Sequence, residues 1–178
     1  MNRRLQYNEF NELLSSYDVI CLTETKTDDT DVLQIPGFSV FLKNRSKLSK
    51  VRSGGIALLF RDELVKYVTI VNTDSQYIFW FKMNKSLFSI EEDIYFGAVY
   101  IPPEGSKYSS PDCFFEIEDE LIKICKECKY VCLMGDFNSR VRKLNDFIEV
   151  DDFLTNVIQC NSVENDISSF FAISIYPL

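Results

Sequence analysis

Side chains that carry oxygen ligands follow two apolar stretches of the sequence. Glu24 comes just after the apolar run 18–22, and Asp136 and Asn138 end the segment YVCLMGDFN. In an α/β sheet the ends of neighbouring strands form one rim, where ligands bind, so these side chains are candidates for a single site. A carboxylate with an Asp-x-Asn pair suits Mg²⁺, which takes oxygen ligands and keeps several waters. Acids at strand ends also form turns and caps, so the spacing leaves a metal site and an ordinary turn both open.

A basic segment interrupts an otherwise acidic chain. Five cations and no acid occur between positions 43 and 52, namely Lys43, Arg45, Lys47, Lys50 and Arg52. The segment is either a solvated loop or a contact for a phosphate backbone. The whole chain has 19 basic and 27 acidic residues, for a net charge of -8, which argues against a dedicated nucleic-acid clamp.

Composition limits the class of protein further. A chain of 178 residues that is 46% apolar is expected to fold as one domain. It contains no histidine, so it cannot by itself complete a mechanism that needs an imidazole. The first ten residues lack an apolar run, which predicts a soluble, intracellular protein with no membrane segment.

The six cysteines predict reduced thiols in the interior. Most of them lie within apolar stretches, where cysteine acts as a small hydrophobic residue. Cys125 and Cys128 form a CxxC pair, but the chain has no second CxxC pair and no histidine to complete a tetrahedral site. We therefore expect packing rather than zinc binding.

The apolar pattern predicts a strand-rich domain that begins with a helix over 5–16. Strands are predicted at 18–22, 38–42, 54–60, 67–72, 77–83, 94–101 and 130–138. Several consecutive strands joined by short turns favour a mixed or antiparallel sheet.

A second helix is predicted after residue 109. Ser110 is its expected cap and Pro111 its expected first residue. Its apolar positions fall three or four apart and predict one buried stripe, formed by Phe114, Ile117, Leu121, Ile124, Cys125 and Cys128.

Four local patterns in this order carry a family resemblance. They are DVICLTET at 18–25, SGGIALLF at 53–60, GAVYIPP at 97–103 and LMGDFNSR at 133–140. Together they resemble the endonuclease/exonuclease/phosphatase superfamily, and within it the endonuclease domains of non-LTR retrotransposons. The resemblance covers about residues 3–155 and leaves a poorly patterned tail at 156–178. It implies an α/β (α+β) fold, a four-layer sandwich of two mixed β-sheets flanked by helices.

The resemblance also implies roles for individual residues. It makes Glu24 the principal ligand of Mg²⁺ or Mn²⁺ and Tyr100 a contact of the scissile phosphate. Asp136 would orient or deprotonate the attacking water, and Asn138 would hydrogen-bond the phosphate. These roles are coherent for phosphodiester hydrolysis, with DNA as the implied substrate.

Two departures from the family pattern lead to further expectations. Family members carry an Asn on a strand before the first helix and end with a Ser-Asp-His triplet, and neither is found here. We therefore expect residues 1–178 to form a single partial domain, truncated at both ends, with severely reduced turnover. A noncatalytic remnant that only binds and a phosphodiesterase of phosphoinositides or sphingolipids are the alternatives.

Overall fold

The computed structural model describes residues 8–45 and 52–138, and the backbone of two strands at 159–160 and 170–174. This part of the chain is mixed α/β, with two β-sheets and few helices, as the family resemblance implied. The resemblance implied that both sheets are mixed, but among the described strands only the second sheet contains a parallel pair. The helices and strands are α1 (Asn8–Ser15), β1 (Val19–Thr23), β2 (Phe38–Lys43), β3 (Ile56–Arg61), β4 (Val68–Val71), β5 (Ile78–Met83), β6 (Ile94–Tyr100), α2 (Cys113–Cys125), β7 (Tyr130–Asp136), β8 (Gln159–Cys160) and β9 (Phe170–Ser174). Two short 3₁₀ helices cover Asp62–Tyr67 and Lys85–Leu87.

The first sheet has β1 at its centre. Its strand order is β2-β3-β1-β9-β8, and every neighbouring pair is antiparallel. All five residues of β1 are buried, as expected for a strand that is apolar on both faces. Thr23, at the end of β1, pairs with Ile56, at the start of β3. The residue after β1 therefore lies beside the glycines that precede β3.

The second sheet is mixed. Its order is β4-β5-β6-β7, with antiparallel pairs up to β6 and a parallel pair β6–β7 that α2 connects. A parallel pair needs such a crossover, whereas antiparallel strands can be joined by short turns. In this pair Tyr100 is opposite Asp136, so both residues lie at the same end of the sheet.

The core lies between the two sheets. Alternate residues of β1 and β3 face alternate residues of β5 and β6, and their side chains form one buried cluster. The rings of Phe60 and Phe81 meet edge to face across the interface, with centroids 5.0 Å apart, and Phe96 stacks on Phe81. Each such buried side chain contributes about 2–3 kcal/mol, so this cluster fixes how the sheets are placed relative to each other.

Each helix packs on one sheet through a separate apolar cluster. Leu14 of α1 packs with Ile20 and Leu59 of the first sheet, and Ile117 of α2 packs with Trp80 of the second. The four-layer arrangement that the resemblance implies remains a prediction.

The second helix differs from its prediction in two respects. It begins at Cys113 rather than Pro111, although the Ser110 hydroxyl accepts a hydrogen bond from the Asp112 amide, as a cap does. Phe114 and Cys125 were predicted to be buried, but both are exposed, Phe114 by 54%, because the buried face runs through Cys113, Ile117, Glu120 and Ile124 instead.

Several predictions lie outside the described residues, among them the first turn of helix 5–16, Lys47, Lys50 and most of 156–178. No helix in the described ranges is long and apolar enough to cross a membrane.

Candidate active site

Glu24 lies in a turn that two glycines shape. It has a left-handed backbone with φ 52°, and its side chain is 40% exposed. The amides of Thr25 and Lys26 donate to the carbonyls of Gly55 and Gly54, at 3.4 and 2.8 Å. A Cβ on Gly55 would lie 2.6 Å from the Thr25 hydroxyl, so only glycine allows this close approach. The paired glycines of GGIALLF thus hold the segment that presents Glu24.

Buried hydroxyls anchor the same segment to the end of β2. The hydroxyls of Thr25 and Thr27 share a hydrogen bond of 2.9 Å, and Thr27 donates to Oδ1 of Asn44 at 2.8 Å. Nδ2 of Asn44 in turn donates to Oδ1 of Asp29 at 2.8 Å. A connected network of this kind restricts the backbone on both sides of Glu24.

Tyr100 joins Glu24 across the interface between the sheets. Its hydroxyl, at the end of β6, donates a hydrogen bond to Oε1 of Glu24, at the end of β1. Tyr100 is 2% exposed, and burial, together with the hydrogen bond to Glu24 and the charge of Glu24, raises the pKa of its hydroxyl well above the usual range. The phenol therefore stays protonated at neutral pH and acts as a hydrogen-bond donor.

Asp136 and Asn138 extend the same edge of the second sheet. The Asn138 amide donates to Oδ1 of Asp136 at 2.9 Å, and its side-chain Nδ2 donates to the Ile101 carbonyl at 2.7 Å. Partial burial raises the pKa of the Asp136 carboxyl, the Asn138 hydrogen bonds oppose this shift, and the charge of Glu24 adds to it. The two carboxylates are thus close enough to repel each other.

This set of groups fits a divalent cation. Glu24 and Asp136 are two partly solvated carboxylates whose repulsion a cation would relieve, and Mg²⁺ is bound in proteins through one or two carboxylates and several waters. Within the described ranges no three His, Cys, Asp or Glu side chains are grouped as in a closed metal site.

The basic segment does not form one surface in the described part of the chain. Nζ of Lys43 donates to the carbonyls of Thr73 and Ile78, at 3.1 and 2.9 Å, and burial lowers its pKa. Arg52 forms ion pairs with Asp28 and Asp31, at 2.8 and 2.7 Å. These contacts give both side chains structural partners that the sequence did not indicate, and their contact with phosphate stays a prediction.

Arg45 is the cation of this segment that lies beside the site. It is 7% exposed, and its guanidinium carbon lies 4.8 Å from the ring centroid of Tyr100 and 5.5 Å from that of Tyr108. A Cβ on Gly54 would lie only 2.5 Å from that carbon. Sequence reasoning missed this packing, because a cation in a polar loop gives no signal of burial. The one hint was the Ser-Gly-Gly sequence before β3.

Comparison with protein-family models identifies a family. The model of the endonuclease/exonuclease/phosphatase family matches residues 1–147, a range that contains every member of the site described above. A search of curated proteins found no match.

Proposed function

Because the chain belongs to the endonuclease/exonuclease/phosphatase family, whose members hydrolyse phosphoester bonds, we propose that it is a Mg²⁺-dependent phosphodiesterase of the retroelement type that acts on DNA. The observation that carries this proposal is the hydrogen bond between Tyr100 and Glu24, residues 76 positions apart in the sequence. It brings the ends of β1 and β6 together, where Asp136 also lies.

Each side chain of the site has a role in this proposal. Glu24 and Asp136 hold Mg²⁺ or Mn²⁺, which when bound supplies positive charge against the charge that develops on the phosphate. The protonated Tyr100 hydroxyl donates to a nonbridging phosphate oxygen, since donors aimed at developing charge stabilise a transition state. Asp136 orients the attacking water, and Asn138 holds the Asp136 carboxylate through its backbone amide.

The proposal includes slow turnover. The 178 residues contain no histidine, so no imidazole of this chain can donate to the scissile phosphate. Catalytic groups that act as a unit show large, non-additive losses when one is missing. Binding of metal and DNA without turnover is therefore the second candidate function. The four-layer arrangement of helices and sheets is part of the same proposal, supported by the packing of α1 and α2 on different sheets.

Plasmid nicking tests the proposal directly. The purified full chain is incubated with supercoiled plasmid and Mg²⁺, and conversion to the open-circular form is measured over time. We expect slow nicking that EDTA and Glu24→Gln abolish and that Glu118→Gln, an exposed carboxylate on α2, leaves unchanged. Nicking of equal rate in Glu24→Gln would refute the assigned site. Mn²⁺ binding that depends on Glu24, in a chain that does not nick, would support the binding function instead.

A further inference from the structure

Two of the three guanidinium nitrogens of Arg45 are buried without a polar partner among the described residues. Neither Nε nor Nη2 reaches solvent, and no described group accepts a hydrogen bond from either atom. None of the ion pairs within the described ranges involves Arg45. A buried charge of this kind is strongly unfavourable unless something compensates it, and such a group in a native fold calls for an explanation.

Two tyrosine rings supply part of that compensation. The guanidinium lies against the rings of Tyr100 and Tyr108, and cation–π attraction is strongest where the cation is desolvated. The hydroxyl of Tyr100 donates to Glu24. Arg45, Tyr100 and Glu24 thus form one continuous chain of contacts that leads from the basic segment into the candidate active site.

The loop before β3 fixes the position of the guanidinium. Gly54 has φ +68°, and its Cα hydrogen faces the guanidinium so closely that a Cβ would lie 2.5 Å from both Cζ and Nη1. The carbonyl of the same glycine accepts the hydrogen bond from Lys26, two residues after Glu24. One short loop therefore determines the placement of both the buried cation and the carboxylate of the site.

We propose that Arg45 is a positioning residue whose buried positive charge makes the Glu24–Asp136 site favour a phosphate group. It holds the ring of Tyr100 and adds a fixed positive potential there, at the residue whose hydroxyl donates to Glu24. Because Nε and Nη2 are enclosed, neither atom touches the phosphate, and in this proposal Arg45 acts through Tyr100 and through its field. This inference rests on the proposed function, since it concerns the same site.

Removal of the Arg45 charge should change the affinities for the metal ion and for phosphate in opposite directions. A fixed positive charge repels a metal cation and attracts an anion. Arg45→Met removes the charge but keeps an unbranched side chain that can contact both rings. We expect Arg45→Met to bind Mn²⁺ about fivefold more tightly and, with Mg²⁺ present, to bind inorganic phosphate about tenfold more weakly. A merely structural role predicts weaker binding of Mn²⁺, because a displaced Tyr100 would leave Glu24 less ordered.

The experiment uses the full chain and needs no turnover. Binding of Mn²⁺ alone is measured by electron paramagnetic resonance, and binding of phosphate in the presence of Mg²⁺ by calorimetry. Arg45→Lys keeps the charge while its buried ammonium stays protonated but lacks the planar guanidinium, so at pH 6 it should restore both affinities in part. Arg61→Met is the matched control, because the guanidinium carbon of Arg61 also lies against a ring, 4.8 Å from the centroid of Phe38, but at the opposite end of β3. It should change neither affinity. If Arg45→Met does not unfold cooperatively, Arg45→Gln replaces it with the same expectations.

The outcomes separate this inference from the proposed function. Mn²⁺ binding that Glu24→Gln abolishes, but that Arg45→Met weakens or leaves unchanged, would overturn the role of Arg45 and leave the metal site intact. A wild-type chain that binds no Mn²⁺ would overturn both proposals. The expected result is a higher affinity for Mn²⁺ and a lower affinity for phosphate in Arg45→Met, with both changes partly reversed in Arg45→Lys.

Discussion

Replacement of Gly135 by alanine tests how closely β6 and β7 approach at the site. Gly135 lies opposite Val99 in the parallel pair and has φ +136°, in a region that side chains rarely adopt. A Cβ there would lie 2.0 Å from the Val99 carbonyl oxygen, 1.4 Å short of ordinary contact at 3.4 Å. The two strands would therefore have to separate next to Asp136.

The expected loss of stability follows from these distances. The backbone conformation costs a non-glycine residue about 1–3 kcal/mol, and a separation of more than 1 Å breaks about two ladder hydrogen bonds worth about 1 kcal/mol each. Gly135→Ala should thus lower the free energy of unfolding by about 4 kcal/mol, a large part of the 5–15 kcal/mol that is typical of a domain.

Urea denaturation measures this loss. Trp80, the single tryptophan of the chain, is fully buried, so its fluorescence follows unfolding. Gly105→Ala is the matched control, because Gly105 also has a positive φ, +79°, but a Cβ there would meet no atom within 4 Å. It should cost only about 1 kcal/mol, from its conformation alone.

The comparison of the two variants tests whether β6 and β7 approach closely at Gly135. If Gly135→Ala were no more destabilising than Gly105→Ala, the close approach of the strands would be refuted. A folded Gly135→Ala that binds Mn²⁺ as the wild type does would show that this glycine does not set the position of Asp136.

Three further predictions concern other parts of the molecule. Glu120→Ala removes the acceptor of three hydrogen bonds in the interior and should destabilise the chain by about 3 kcal/mol in urea, whereas exposed Glu118→Ala should change stability by less than about 0.5 kcal/mol. Burial raises the pKa of the Cys21 thiol from 9.0 to about 12, so the unfolded chain loses its proton first and the free energy of unfolding should fall above pH 9 by up to about 1.4 kcal/mol per pH unit. Urea titrations from pH 8 to 10 should show that Cys21→Ala lacks this part of the decline. Tyr100→Phe should lower the nicking rate about 100-fold, while a metal affinity that remains within about threefold of wild type would confirm that the hydroxyl acts on phosphate rather than on the ion.

The strands and the two acidic strand ends were predictable because they depend on local patterns. The run 18–22 is apolar on both faces and becomes polar at once, which predicts a central strand that ends at the rim with Glu24. The segment that leads to Asp136 is likewise apolar and becomes polar at its end. Apolar and polar residues alternate less regularly along β5 and β6. The length of each apolar run was nevertheless enough to predict these strands.

The partners of individual charged residues could not be predicted. Glu120 has the spacing of the buried stripe, but its charge is typical of an exposed residue; it is buried because it accepts hydrogen bonds from Trp80 and from the segment before β5. Arg45 depends likewise on Tyr108, which lies far along the chain and contacts it only in the folded protein. Contacts between distant segments follow from the way the sheets are stacked, and no local pattern encodes that arrangement.

Glu24 belongs to one sheet, whereas Tyr100 and Asp136 belong to the other, and this division has a consequence for folding intermediates. A partly folded form can keep both sheets and lose only their mutual packing. Such a form would retain its far-ultraviolet circular dichroism, which reports secondary structure, but Glu24 would not meet Tyr100 and Asp136. A phosphoester hydrolase built in this way would stay inactive until its last tertiary contacts have formed.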